Sequence, residues 1–281
     1  MTHEIDAAGQ ASAQGPTVDW RLRQSGPSNA ERTVLLLPGG MCSAGSYAEV
    51  MAQPALAHTR LVAATLPGQA GAPSPNDYSV ENYARDVAHL ATTTGADVLV
   101  GFSMGAVVAV EVVLSGSFTG PVVLLAVSLS PEDEPSFFRA LIRSTRVLGN
   151  LPMRVLAAGA GSMVKRIAAS PERRAQLRED FRSNRPRDMR LALHAYLRWL
   201  HSHEGRTERL CEAEVPLWVV HAEKGDGGLT DDERRTLEAC PHAHVVTIPG
   251  DVFFLPNEVP ERIAEIIGEA LRAVPAQGGR A

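Results

Sequence analysis

Six short apolar runs constrain this chain more than any other feature: "TVLLLPGG" (33–40), "RLVAATLPG" (60–68), "DVLVGFS" (97–103), "GPVVLLAVS" (120–128), "PLWVVHAE" (216–223) and "AHVVTIPG" (243–250). They are rich in Val and Leu and do not alternate with polar residues, which is the pattern of strands buried on both faces. Strands of that kind are parallel and need crossovers, right-handed ones through helices. Helical patterns lie between the runs at about 79–94, 104–115 and 260–272, and "VDWRLRQ" reads as an antiparallel edge strand. The expectation is an α/β chain with a mostly parallel, doubly wound sheet.

Between the fourth and fifth runs lie some eighty residues without a strand pattern. They hold only Arg- and Leu-rich helical stretches broken by Pro152, Gly159, Gly161, Pro171 and Pro186. That is too long for a connecting loop, so a helical insertion is expected, a lid over the strand ends. The resulting plan is a first core part at 17–130, a helical lid at 131–212 and a second core part at 213–273. The tails, 1 to about 15 and "AVPAQGGRA", read as disordered. A chain of 281 residues with 44% hydrophobic content can bury one substantial core. The N-terminal stretch has no basic segment followed by an apolar one, and the apolar runs fall far short of the ~20 residues of a membrane span. The reading is a cytoplasmic protein that does not enter a membrane. Cys42, Cys211 and Cys240 are odd in number and widely spaced, which suits free thiols and neither a disulfide framework nor a zinc site.

The net charge of −5 hides an asymmetry. Residues 131–210 carry 16 Lys/Arg against 9 Asp/Glu, a balance of +7, so the remainder carries 11 against 23, or −12. A basic segment on an acidic body suits an anionic substrate or an acidic partner such as an acyl carrier protein. Solvated helix faces are the competing reading. No basic stripe is interleaved with aromatics, which argues against nucleic acid.

In "VLVGFSMGAVVAVEVVL", Gly101-Phe102-Ser103-Met104-Gly105 is G-x-S-x-G at the junction of a strand and a helix. A turn that tight requires small residues around the serine and strains its apex. On these residues the chain resembles the α/β-hydrolase superfamily, from about residue 17 to 273. The resemblance implies that Ser103 is a nucleophile. It also implies that "LLLPGGMCSAGSY" is the oxyanion loop, with Pro38-Gly39 where His-Gly is frequent. The N–H of Gly40, or of Met41, would then pair with that of Met104 to hold an oxyanion. Cys42 and Ser43 would line the site. The competing reading of Pro38-Gly39-Gly40 is a simple turn.

The superfamily's order is serine, acid, histidine. Asp226 fits the acid with one residue more than the common spacing; Glu223 is the reserve and Asp133 a third choice. Asp226 could equally cap the helix starting near Thr230. The usual histidine position aligns with Phe253, in Val252-Phe253, and no histidine follows His244. His242 and His244 lie at the wrong end of their strand, and a histidine at His221 is usually structural in the family. In "MRLALHAYLRWLHSHE" the apolar stripe is Met189, Leu193, Tyr196 and Leu200, with Arg190, His194, Arg198 and His201 on the opposite face; His203 lies at the frayed end.

A serine hydroxyl is a weak nucleophile without a base. Losing the histidine of a serine protease costs roughly 10⁶ in turnover, while oxyanion stabilisation and binding retain about 10³ to 10⁴ over water. Three readings follow. One is a hydrolase of a small ester, thioester or related acyl substrate whose base is non-standard or missing. A second is a lyase or cyclase that uses the oxyanion hole on a carbonyl substrate. The third is a non-catalytic ligand-binding protein. None calls for a metal or a cofactor.

Overall fold

The computed structural model describes residues 18–134, 136–202, 205–224 and 228–275, without the side chains of residues 160 and 163. Among these residues seven strands form one sheet: β1 (Arg21–Ser25), β2 (Thr33–Leu37), β3 (Arg60–Thr65), β4 (Val98–Phe102), β5 (Val122–Leu125), β6 (Leu217–Lys224) and β7 (Ala243–Asp251), in the order β1-β3-β2-β4-β5-β6-β7. Every pairing is parallel except that of β1 with β3, where Arg21 faces Thr65. The "VDWRLRQ" segment is thus the antiparallel edge that its sequence predicts.

The unbroken apolar runs have a direct cause. β2, β4 and β5 are buried at every position. Successive side chains go to opposite layers, so Val34, Leu36 and Val100 join one core and Leu35, Leu37 and Leu99 the other. Each such side chain contributes about 1.5–3 kcal/mol by burial. One layer holds the single turn α1 (Ala48–Met51), the single turn α10 (Leu255–Glu258) and α11 (Pro260–Ala273); the other holds α2 (Val80–Thr94) and α3 (Met104–Leu114). α3 is buried on nearly all sides, which is why its sequence is almost wholly apolar.

Between β5 and β6 run α4 (Ser136–Leu148), α5 (Leu151–Val164), α6 (Pro171–Ser183), α7 (Pro186–Ser202) and α8 (Arg206–Glu212), and α9 (Asp231–Ala239) leads to β7. α7 buries Met189, Leu193, Tyr196 and Leu200 and leaves Arg198 and His201 exposed. α6 is tied to the core by Arg173, whose guanidinium pairs with Glu49 at 2.5 Å and donates to Gly45 O at 2.6 Å. The tail segments read as disordered lie outside the described residues, apart from 273–275, and Ala273 closes α11. Among the described residues no helix is long and apolar enough to cross a membrane. Cys42, Cys211 and Cys240 are free thiols.

Candidate active site

β4 ends at Phe102 and α3 begins at Met104, so a single residue makes the turn. That residue, Ser103, has φ 49° and ψ −114°. A non-glycine residue held there costs about 1–3 kcal/mol and persists only where its surroundings fix it. The flanking glycines supply that fixing by close backbone contact. A Cβ at Gly101 would lie 2.4 Å from Gly105 O, and one at Gly105 would lie 2.3 Å from Leu37 O and 2.6 Å from Pro38 O. Ser103 N–H donates to Leu125 O at 2.8 Å, tying the apex to β5.

The Gly39-Gly40 loop lies directly against this turn. A Cβ at Gly39 would sit 3.5 Å from Ser103 Cβ, and one at Gly40 would sit 3.5 Å from Met104 Sδ. Met41 N–H donates to Gln69 Oε1 at 2.8 Å, and Met41 O accepts from Asn184 Nδ2 at 2.9 Å. Asn184 Oδ1 in turn accepts Ala70 N–H at 2.9 Å. Met41 and Ala70 both have positive φ, 67° and 44°, so two amide side chains hold two strained residues. Among the described residues the N–H groups of Gly40 and Met104 have no acceptor.

Two neighbours behave differently from each other. Cys42, read as lining the site, is instead packed in the core, where burial and then the charge of Asp180 push its thiol up. The loop doubles back through a Cys42 N–H to Gly39 O bond of 3.2 Å, and this tucks the side chain inward. Ser43 donates through Oγ and N–H to Asp180 Oδ2 of α6, at 2.6 and 3.0 Å. Gln69, Asp180 and Asn184 had no signal of their own in the sequence beyond the Gly/Pro-rich setting of Gln69.

Asp226 lies outside the described residues, as does His203. Glu223 is exposed and accepts Gly250 N–H at 3.1 Å. Asp133 is buried and accepts the N–H groups of Leu129 and Ser130 at 2.7 and 3.0 Å. Burial pushes its carboxyl up to about 7, opposed by the Ser130 N–H and assisted by the neighbouring Glu233.

Phe253 is 46% exposed, whereas Phe254 is buried with its ring centroid 5.6 Å from that of Phe102 and 6.3 Å from that of Phe181 of α6. Glu258 Oε1 accepts the N–H groups of both Phe253 and Phe254, at 2.9 and 2.6 Å, and so fixes the entry to α10. His221 is buried within β6, His244 stacks on Trp218 at 4.9 Å, and His242 Nε2 lies 3.2 Å from Cys240 Sγ. His194 Nε2 meets Thr145 Oγ1 at 2.6 Å, and His201 Nδ1 meets Leu197 O at 2.7 Å. Among the described residues no hydrogen bond reaches Ser103 Oγ. Four cavities of about 640, 620, 450 and 300 Å³ open elsewhere, and none is lined by Ser103.

A strained serine between a parallel strand and a buried helix, faced by a glycine-rich loop, defines the class. The chain matches the alpha/beta hydrolase family over residues 34–266 and belongs to that family. Its fold is similar to that of a thermophilic esterase from Thermogutta terrifontis, with malate bound (21% identity, 92% of this chain and 98% of the esterase, TM-score 0.69). An enol-lactonase from Burkholderia xenovorans LB400 is also similar (17% identity, 91% and 98%, TM-score 0.72). So is MenH from S. aureus (16% identity, 89% and 97%, TM-score 0.69). No curated protein matches the chain.

Proposed function

We propose that this chain is an enzyme acting on a small ester, thioester or related acyl substrate, with Ser103 as nucleophile and the N–H groups of Gly40 and Met104 as oxyanion donors. The observation that carries the reading is the φ of 49° at Ser103 beside the Gly39-Gly40 loop. Strain of that kind presents the hydroxyl at the mouth of a helix. Two N–H groups without acceptors suit a developing oxyanion, and a single such donor is worth about 3 to 4 kcal/mol in known cases. Met41, whose N–H is held by Gln69, is the weaker candidate. Asp226 is the acid of this reading on its sequence position. α4–α8 act as the lid, a role supported by the bonds from Asp180 and Asn184 to the loop beside the serine. The base is non-standard or missing, with Phe253 in its sequence position. Esterase and enol-lactonase appear among the proteins of similar fold, in keeping with acyl chemistry.

One observation favours a second reading, a lyase or cyclase. The connection that carries the base in this family here places the Phe254 ring against Phe102, next to the serine. An apolar wall with two oxyanion donors suits a reaction that builds enolate-like charge without serine attack.

Labelling with a fluorophosphonate separates these readings. Ser103 should be labelled in the native protein and Ser103→Ala should lose both label and turnover of an activated ester. Ester turnover that is undiminished in Ser103→Ala would overturn nucleophilic catalysis. An unlabelled native protein that still eliminates or cyclises a carbonyl substrate would establish the second reading.

A further inference from the structure

The sequence between residues 135 and 171 holds six Lys/Arg and no Asp/Glu. In α4 three of them, Arg139, Arg143 and Arg146, recur at i, i+4 and i+7, and in α7 His194, Arg198 and His201 repeat that spacing. Residues so spaced share one helix face. The two rows meet across a cavity of about 640 Å³ between the helices, floored in part by Ile142 and Leu197 and lined, among the described residues, by no carboxylate.

Elsewhere in the same insertion arginines are neutralised: Arg173 by Glu49 and Arg185 by Asp188. Among the described residues Arg139, Arg143, Arg146 and Arg198 form no ion pair within 4 Å. Arg139 is oriented by bonds to Pro131 O at 2.9 Å and Ser136 Oγ at 3.3 Å, and His194 by Thr145 Oγ1 at 2.6 Å. Burial, and then Arg190, Arg146 and Arg198, lower the pKa of His194. Like charges at i, i+4 oppose the helix that carries them, and two converging rows oppose each other. Arg198 also shares the adjoining cleft with Asp77, so the cluster is only partly countered, and a concave arrangement of that kind receives an anion.

We propose that the groove between α4 and α7 is a binding site for a phosphoanion ligand with adjacent phosphoryl groups. Guanidinium forks match phosphate oxygens in pairs, and four of them on two helices exceed what one carboxylate can satisfy. The volume falls within the range of about 300–1,000 Å³ usual for small-molecule sites. The site does not depend on Ser103 or on the acyl reaction.

The test is calorimetric titration of the full chain with pyrophosphate at low salt. Saturable binding is expected, weakening as salt rises. Arg143→Gln combined with Arg198→Gln should weaken it at least roughly tenfold, with a melting temperature in the absence of ligand that is not lowered, since like-charge repulsion is relieved. Arg143→Lys, which keeps the charge and loses the fork, should weaken it several-fold. Ser103→Ala should bind as the native protein does. The proposal is overturned by an absence of saturable binding or by affinity unchanged in the arginine variants. It is also overturned if only vesicles containing phosphatidic acid are bound, since the groove would then serve a lipid surface and not a soluble ligand.

Discussion

The β4–α3 turn and the β7–α10 connection lie in the same sheet and are built by opposite means. The first is specified by backbone packing: Gly101 and Gly105 admit main-chain atoms where any side chain would collide. The second is specified by side chains: Glu258 holds the N–H groups of residues 253 and 254, and the buried Phe254 ring packs on Phe102 and Phe181, while the Phe253 side chain is half exposed. A change at the serine turn therefore disturbs the fold, while residue 253 can change with the loop path intact. That difference leaves residue 253 free to vary while the turn at Ser103 is held.

The same substitution in the two regions gives the sharpest contrast. Gly105→Ala drives a methyl into Leu37 O and Pro38 O, both main-chain atoms that cannot swing aside. It should cost more than about 4 kcal/mol, in the exceptional range for single changes, and leave little folded protein. Gly250→Ala, at the end of β7, meets nothing within 4 Å and pays only for its φ of 94°. About 1–2 kcal/mol is expected there, the price of left-handed backbone. Urea denaturation of the two variants measures the gap, and equal losses would refute the comparison.

Phe254→Ala comes next. It removes a buried ring that touches Phe102 and Phe181, and Phe→Ala changes in cores cost about 3–5 kcal/mol. A loss under about 1 kcal/mol on denaturation would mean that the ring does not anchor the connection to the serine turn.

Much of this was legible in the sequence, and for physical reasons. Strands buried on both faces read as unbroken apolar runs, and the turn at Ser103 as glycines at fixed offsets around it. The buried stripe of α7 followed from helical period alone. The clamp on the Gly39-Gly40 loop did not. Gln69 reaches Met41 across 28 residues and Asn184 reaches it across 143, and no local pattern marks a side chain whose partner is that remote. Cys42 was misplaced for a related reason: the sign of φ at Met41, 67°, decides which way the next side chain points. Asp226, the acid expected from the sequence, falls outside the described residues.

Asp133 follows β5, which lies beside β4 in the sheet. Its folded pKa, pushed up to about 7 by burial, lies above that of an unfolded carboxylate. The contribution it makes to stability is therefore complete below about pH 4 and is lost as pH rises through 7. Both backbone donors reach one oxygen, Oδ2, so Asp133→Asn can keep an acceptor for both while removing the titration. The variant should show a flatter dependence of melting temperature between pH 5 and pH 8. At pH 8 it should gain up to about 1 kcal/mol on the native protein, or roughly 2–4 °C for a chain of this size. Parallel curves for the two proteins would show that the carboxyl does not titrate in that window.

Phe253→His should have the smallest effect on stability and the most telling effect on chemistry. The side chain is 46% exposed and its N–H is already held by Glu258, so the exchange should cost less than about 0.5 kcal/mol, as surface changes usually do. A base must come within about 3 Å of the proton it takes. The ring at 253 is one aromatic contact from Phe254 at 5.2 Å, and Phe254 is one contact from Phe102, the residue before Ser103. An imidazole here should raise turnover of an activated ester by roughly 10- to 100-fold, far below the ~10⁶ of a full triad, because the groups around residue 253 were not selected to orient such a ring. The gain must vanish when Ser103→Ala is added, since otherwise the imidazole acts on the ester directly. A folded Phe253→His protein with native turnover would mean that residue 253 is not where this fold can use a base, and that the machinery beside Ser103 serves chemistry without proton abstraction from the serine.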